Sequence, residues 1–154
     1  ILASLGAKVL MLERNDILAA LLADGIYRAR MIEEEKGEDF KKIFKRITLI
    51  NNDSIDYLNT LEDISIPDIV YIDPMFPPRQ KSSQVKKEMQ LLQRLIGSDE
   101  DSDKLLALAK SKARYRVVVK RPIHAKFLSD QEPSYSLKGK STRYDIYSNK
   151  KIPD

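Results

Sequence analysis

The chain has 154 residues, 42% of them hydrophobic and 32% charged, the balance of one globular domain with a real core and too little for two ordinary ones. It carries 27 Lys and Arg against 23 Asp and Glu, and no cysteine. Disulfides and Cys-ligated zinc are therefore excluded, and a reducing, cytoplasmic setting fits. No apolar run approaches the ~20 residues of a membrane span, and the opening Ile1-Leu-Ala-Ser-Leu-Gly6 lacks the basic start of a secretory signal.

In chain order, residues 1–5 read as the last turn of a helix stopped by Gly6. The chain thus reads as opening inside an element, with its natural N-terminus expected upstream. Residues 8–13 are apolar on both faces, as a strand buried in a parallel sheet should be. Asn15 or Asp16 caps the next helix, for which Leu18, Leu21, Leu22 and Ile26 supply an apolar stripe. After an acidic stretch, Gly37 breaks the chain before a second amphipathic piece over 40–46. A strand at 47–50 and a short helix at 55–61 lead to a third strand at 69–72. A proline-rich turn follows, then helical patterns over 82–96 and 104–112, and a buried strand over 115–120. Two last strands, near 135–137 and 143–147, suit an antiparallel hairpin. Strand–helix alternation predicts an α/β three-layer sandwich of Rossmann type, its sheet mostly parallel with an antiparallel C-terminal edge.

In such sheets ligands bind beyond the carboxyl ends of the strands, and here three of those ends are acidic. Glu13 suits the hydroxyls of a nucleoside ribose, although a carboxylate at a helix entry is also favoured by the dipole alone. Asp53 could accept from an adenine amine, or Asp53 or Ser54 could simply cap the following helix. The most specific signal is Asp73-Pro74-Met75-Phe76-Pro77-Pro78. The amine of a nucleobase is a poor nucleophile because its lone pair is delocalised into the ring. Accepting its hydrogens on Asp73 and on the Pro74 carbonyl would localise that lone pair. Phe76 could stack on the base, a contact worth ~1–3 kcal/mol where it has been measured. The competing reading is an ordinary Asp-Pro turn.

Basic residues recur afterwards: Arg79, Lys81, Lys86 and Lys87, then Lys120, Arg121, Lys138, Lys140 and Arg143. Tyr135, Tyr144 and Tyr147 interleave with the last group. Lys86-Lys87 reads as a solvated face. Lys138-Gly-Lys-Ser-Thr-Arg143, with its glycine and hydroxyls, suits close approach to phosphates, although it lacks the upstream glycine and the following helix of a P-loop. His124 is the one histidine, so no zinc set can be assembled around it, and it reads as structural.

Glu13-Arg14-Asn15, Asn52-Asp53-Ser54 and Asp73-Pro-Met-Phe-Pro together resemble the class I S-adenosylmethionine-dependent methyltransferases. With Val-Lys-Lys-Glu-Met89, Arg-Val-Val-Val-Lys-Arg-Pro122 and Arg-Tyr-Asp-Ile-Tyr147, the chain is similar to the bacterial 16S ribosomal RNA guanine-N2 methyltransferase J family from Ile1 to about Tyr147. The resemblance implies methyl transfer from S-adenosylmethionine to the N2 amine of a guanosine in small-subunit rRNA, with no metal. Glu13 and Arg14 would touch the cofactor's ribose region, Asp53 and Ser54 its adenine, and Asp73 the transfer centre. The family's glycine-rich loop would precede Ile1. Its strand would lie between the Glu13 and Asp73 strands, so a gap in the sheet is expected here. Three alternatives remain: an amine methyltransferase acting on DNA adenine or protein, a nicotinamide oxidoreductase using Glu13, and a non-catalytic RNA-binding module.

Overall fold

The computed structural model describes residues 1–74 and 101–153. Phe76, Arg79, Lys81, Lys86, Lys87 and the helix expected over 82–96 lie outside the described residues. The chain divides into two compact units, Ile1–Tyr57 and Leu58–Asp154.

In the first unit a 3-10 turn, Ala3–Leu5, ends at Gly6, whose φ of 101° is a left-handed conformation that a side chain resists. Strand β1 (Val9–Glu13) pairs in parallel with β2 (Ile47–Asn51), from Val9 opposite Ile47 to Glu13 opposite Asn51. The crossover between them comprises α1 (Asp16–Met31), α2 (Glu33–Lys36) and α3 (Glu38–Lys45). Helix α1 begins where the Asn15 side chain accepts from the N–H groups of Ile17 and Leu18. Its expected stripe is only partly covered. Leu18 and Ile26 are half-buried, Leu21 and Leu22 are exposed, and the most buried residue is Ala19. A two-stranded sheet is too narrow to cover an apolar stripe of ~100°.

Helix α4 (Ser54–Thr60) follows β2 and contributes Leu58 to the core of the second unit. That unit holds β3 (Ile69–Ile72), α5 (Ser102–Lys112), β4 (Arg116–Pro122), β5 (Tyr135–Lys138) and β6 (Thr142–Ser148). Its sheet runs β3-β4-β6-β5. Strands β3 and β4 are parallel, and β6 runs antiparallel to both of its neighbours. The mostly parallel sheet with an antiparallel C-terminal edge is thus present as two hydrogen-bonded pieces, and among the described residues no ladder joins β1–β2 to the rest. Leu106 and Ala109 of α5 close over Ile72, Val117, Val119 and Tyr147, and Leu128 seals the same core. On the other face of the sheet, by strand alternation, stand Tyr71, Lys120 and Tyr144.

Candidate active site

Each unit presents its own cluster at the carboxyl ends of its parallel strands. In the first, the register sets Glu13 beside Asn51, and the N–H of Asn52 donates to the Glu13 carbonyl at 3.1 Å. Glu13 Oε1 accepts from the N–H of Asn15 at 2.8 Å, which fixes the carboxylate at the rim. Arg14 Nη1 lies 3.4 Å from Asp53 Oδ2, so the residues after β1 reach those after β2. Asp53 Oδ1 accepts from the N–H groups of Ile55 and Asp56, at 2.7 and 3.3 Å, and its own N–H donates to Asn52 Oδ1. The cap reading of Asp53 is therefore realised, while Ser54 is the first residue of α4. A nucleoside fits this donor set. A half-buried carboxylate pinned by a backbone N–H keeps a second oxygen for a diol, and the Arg14–Asp53 pair closes the same rim.

In the second unit, Ile72 opposite Val119 brings Asp73, the next residue, alongside Lys120. Lys120 Nζ donates to Asp73 Oδ2 at 2.8 Å, with side-chain exposures of 35% and 45%. The pair stays open to a ligand. Pro74 is buried behind it. The hydrogen bond to Asp73 raises the pKa of Lys120, so the ammonium is secure at neutral pH. Burial, then the Asp73 carboxylate, raises the phenol of Tyr71, and Lys120 works partly against them. Tyr144 stands opposite Lys120 on β6. Sequence reasoning named Asp73, Lys120 and Tyr144 separately but missed Tyr71 and the Asp73–Lys120 pairing, because their meeting depends on strand register.

The basic residues divide. Arg143 is buried: Nε donates to Asp145 Oδ1 and Oδ2 at 2.9 and 3.2 Å, Nη1 to the Ile123 carbonyl at 2.8 Å, and the guanidinium lies 4.8 Å from the centre of the Phe127 ring. It braces the hairpin, and its burial and its bond to Asp145 weigh against the expected phosphate contact. Arg121 donates through Nε and Nη2 to the Lys126 carbonyl, and burial, then Arg143, lowers its pKa. Lys120 is engaged by Asp73. Lys138 and Lys140 are exposed. Lys138 lines a cleft of about 440 Å³ together with Phe127, Tyr135 and Ser136. His124 is exposed, in the turn after β4. Among the described residues no group of three or more His, Asp or Glu side chains could hold a metal ion, and no helix is long and apolar enough to cross a membrane.

The family described as "Putative SAM-dependent methyltransferase" matches residues 1–149. The chain is 49% identical over 154 residues to ribosomal RNA small subunit methyltransferase J of Cellvibrio japonicus, covering 100% of this chain and 58% of that protein. It is 46% identical over 152 residues to the protein of the same name from Pseudomonas aeruginosa, covering 99% and 56%. The crystal structure of a SAM-dependent methyltransferase from Neisseria gonorrhoeae superposes with a TM-score of 0.73 at 37% identity, covering 96% of this chain and 55% of that one. The chain thus spans less than two thirds of the length of these relatives.

Proposed function

The chain belongs to the SAM-dependent methyltransferase family, and from that premise we propose that the protein methylates the exocyclic N2 amine of a guanosine in 16S rRNA, with S-adenosylmethionine as the donor. Residues 1–154 are read as one methyltransferase domain, since the family match runs through both compact units. The observation that carries the reading is the half-exposed Asp73 carboxylate at the carboxyl end of β3 with Pro74 buried behind it.

When bound, the cofactor supplies an electrophilic methyl group on a sulfonium. The chain supplies the rest by position and polarity. Glu13 holds ribose hydroxyls, Arg14, Asp53 and Ser54 border the adenine side, and Asp73 accepts hydrogen bonds from the target amine. Accepting those hydrogens localises the nitrogen lone pair, stabilises the positive charge that develops on N2, and gives the proton that N2 sheds an acceptor at Asp73. The Pro74 carbonyl is a second acceptor, and Phe76 supplies the stacking surface. Lys138 and Lys140 offer phosphate contacts along the RNA. The small ribosomal subunit is the natural partner and the cytoplasm the setting, supported by what the named relatives act on.

Methylation assays on RNA, DNA and protein fractions from cells lacking the enzyme test the assignment. Label is expected in small-subunit RNA, and label confined to DNA or protein would move the target to another amine. Asp73→Ala is expected to lower turnover by roughly 10²-fold or more with less change in cofactor affinity. Turnover at the wild-type level in that variant removes Asp73 from the transfer centre.

A further inference from the structure

The Asp73–Lys120 pair has a polarity of its own. Lys120 Nζ donates to Oδ2 at 2.8 Å, so the exposed edge of the pair reads Oδ1, Oδ2, Nζ: acceptor, acceptor, donor. Lysine carries three N–H donors, and a bond to Oδ2 leaves two for a ligand. Both groups are half-exposed, and Lys120 sits on a strand that is paired on both sides, with β3 and with β6. The complement of acceptor–acceptor–donor is donor–donor–acceptor. Guanine offers that order along its Watson–Crick edge, as N2–H, N1–H and O6. Adenine offers an amine followed at once by the N1 lone pair, which would face Oδ2, acceptor against acceptor. Unpaired bases of RNA are commonly read on this edge.

We propose that Lys120 is the residue that makes this site specific for guanine, donating to O6 while Asp73 accepts from N2–H and N1–H. The inference rests on the methyltransferase reading above and adds a donor to O6, which Asp73 alone does not supply. A carboxylate by itself accepts from any exocyclic amine. The ammonium beside it turns an amine site into a guanine site. Tyr71 and Tyr144 flank Lys120, 45% and 37% exposed, and the raised pKa of Lys120 keeps the donor charged.

The test uses the full-length protein with short RNAs that carry either guanosine or 2-aminopurine at the methylated position. The analogue keeps the N2 amine and lacks O6 and N1–H. Wild-type protein is expected to prefer guanosine in kcat/KM by about 10²-fold, since the analogue loses two edge contacts each worth about tenfold. Lys120→Met is expected to narrow that preference by about tenfold, and Lys120→Arg to retain most of it. Anisotropy binding of the same RNAs without cofactor should shift in the same sense. Equal losses on both RNAs in Lys120→Met, or an unchanged preference, overturn the proposal. So does a uniform loss of affinity with a shallower salt dependence, which marks a phosphate contact. If wild-type protein methylates neither RNA, the methyltransferase reading falls and takes this one with it. Methylated guanosine with an unaltered preference in the variants removes Lys120 alone.

Discussion

At the scale of single residues, the buried charge in β6 carries the sharpest consequences. Asp145 is fully buried, and its carboxylate accepts from Ser136 Oγ at 2.6 Å and from Arg143 Nε at 2.9 Å. Asp145→Asn leaves the guanidinium buried without its counter-ion. That should destabilise the protein by about 3–5 kcal/mol in urea unfolding, whereas Lys138→Ala, on the exposed side of the hairpin, should stay within about 0.5 kcal/mol. The pairing was legible in principle. Arg143, Asp145 and Tyr147 alternate along one strand, so whatever buries the tyrosine also buries the two charges. Reading Arg143 together with Lys138 and Lys140 as one basic run missed this, because a run ignores which face each side chain takes. Tyr147 gives a pH-dependent consequence. Burial, then Asp145, raises its phenol above the ordinary 10.0. Above that value the unfolded chain loses the proton while the folded chain keeps it, so stability present below pH ~10 is lost as pH climbs through the folded-state pKa. Tyr147→Phe should flatten this alkaline decline, at a cost of about 1 kcal/mol near neutrality for the hydrogen bond to the Gln131 carbonyl. Urea melts of both proteins across the alkaline range measure it.

At the scale of elements, α1 depends on its first turn. Asn15 Oδ1 accepts from Ile17 and Leu18, at 3.0 and 3.1 Å, while the Asn15 N–H donates to Glu13. Asn15→Ala should therefore cost about 1 kcal/mol of stability. Alanine keeps the backbone N–H that holds Glu13, so nucleoside binding should change little. Calorimetry with S-adenosylmethionine reads the second effect, and a clear loss of affinity would mean that the rim depends on the helix cap. The strands and most of the described helices were legible because their signals are local: apolar runs that end in an acid, caps, and glycines at breaks. The cap at Asp53 was one of the two readings the sequence offered, and the structure realises it. The left-handed pair Ser129 and Asp130, at φ 55° and 50°, was not legible. Ser129 is held by its N–H and hydroxyl on Asp103 Oδ1, at 2.8 and 3.0 Å, from 26 residues earlier. Nothing near residue 129 in the sequence announces that contact. The Asp73–Lys120 pair is of the same kind, since each half is visible locally and the pairing needs the β3–β4 register.

At the scale of the whole molecule, the net positive charge is unevenly placed. Residues 1–57 carry 9 basic and 10 acidic side chains, and the remainder carry 18 and 13. Charge in excess attracts RNA, but only cations free to meet phosphate release counterions. In the second unit Lys120 is held by Asp73, Arg121 by the Lys126 carbonyl and Arg143 by Asp145. Lys138 and Lys140, beside Gly139 in the β5–β6 turn, are the exposed pair that the sequence run pointed to. If they neutralise phosphates, the double variant Lys138→Ala/Lys140→Ala should bind RNA more weakly whatever its sequence. Its slope of log affinity against log salt should fall by about 0.7–0.9 for each lysine removed. Its preference for guanosine over 2-aminopurine should not change, because that choice is made at Asp73 and Lys120. Binding titrations at several salt concentrations distinguish the outcomes. An unchanged slope makes the turn an ordinary solvated face, and a changed base preference would mean that phosphate anchoring and base selection are not separable in this protein.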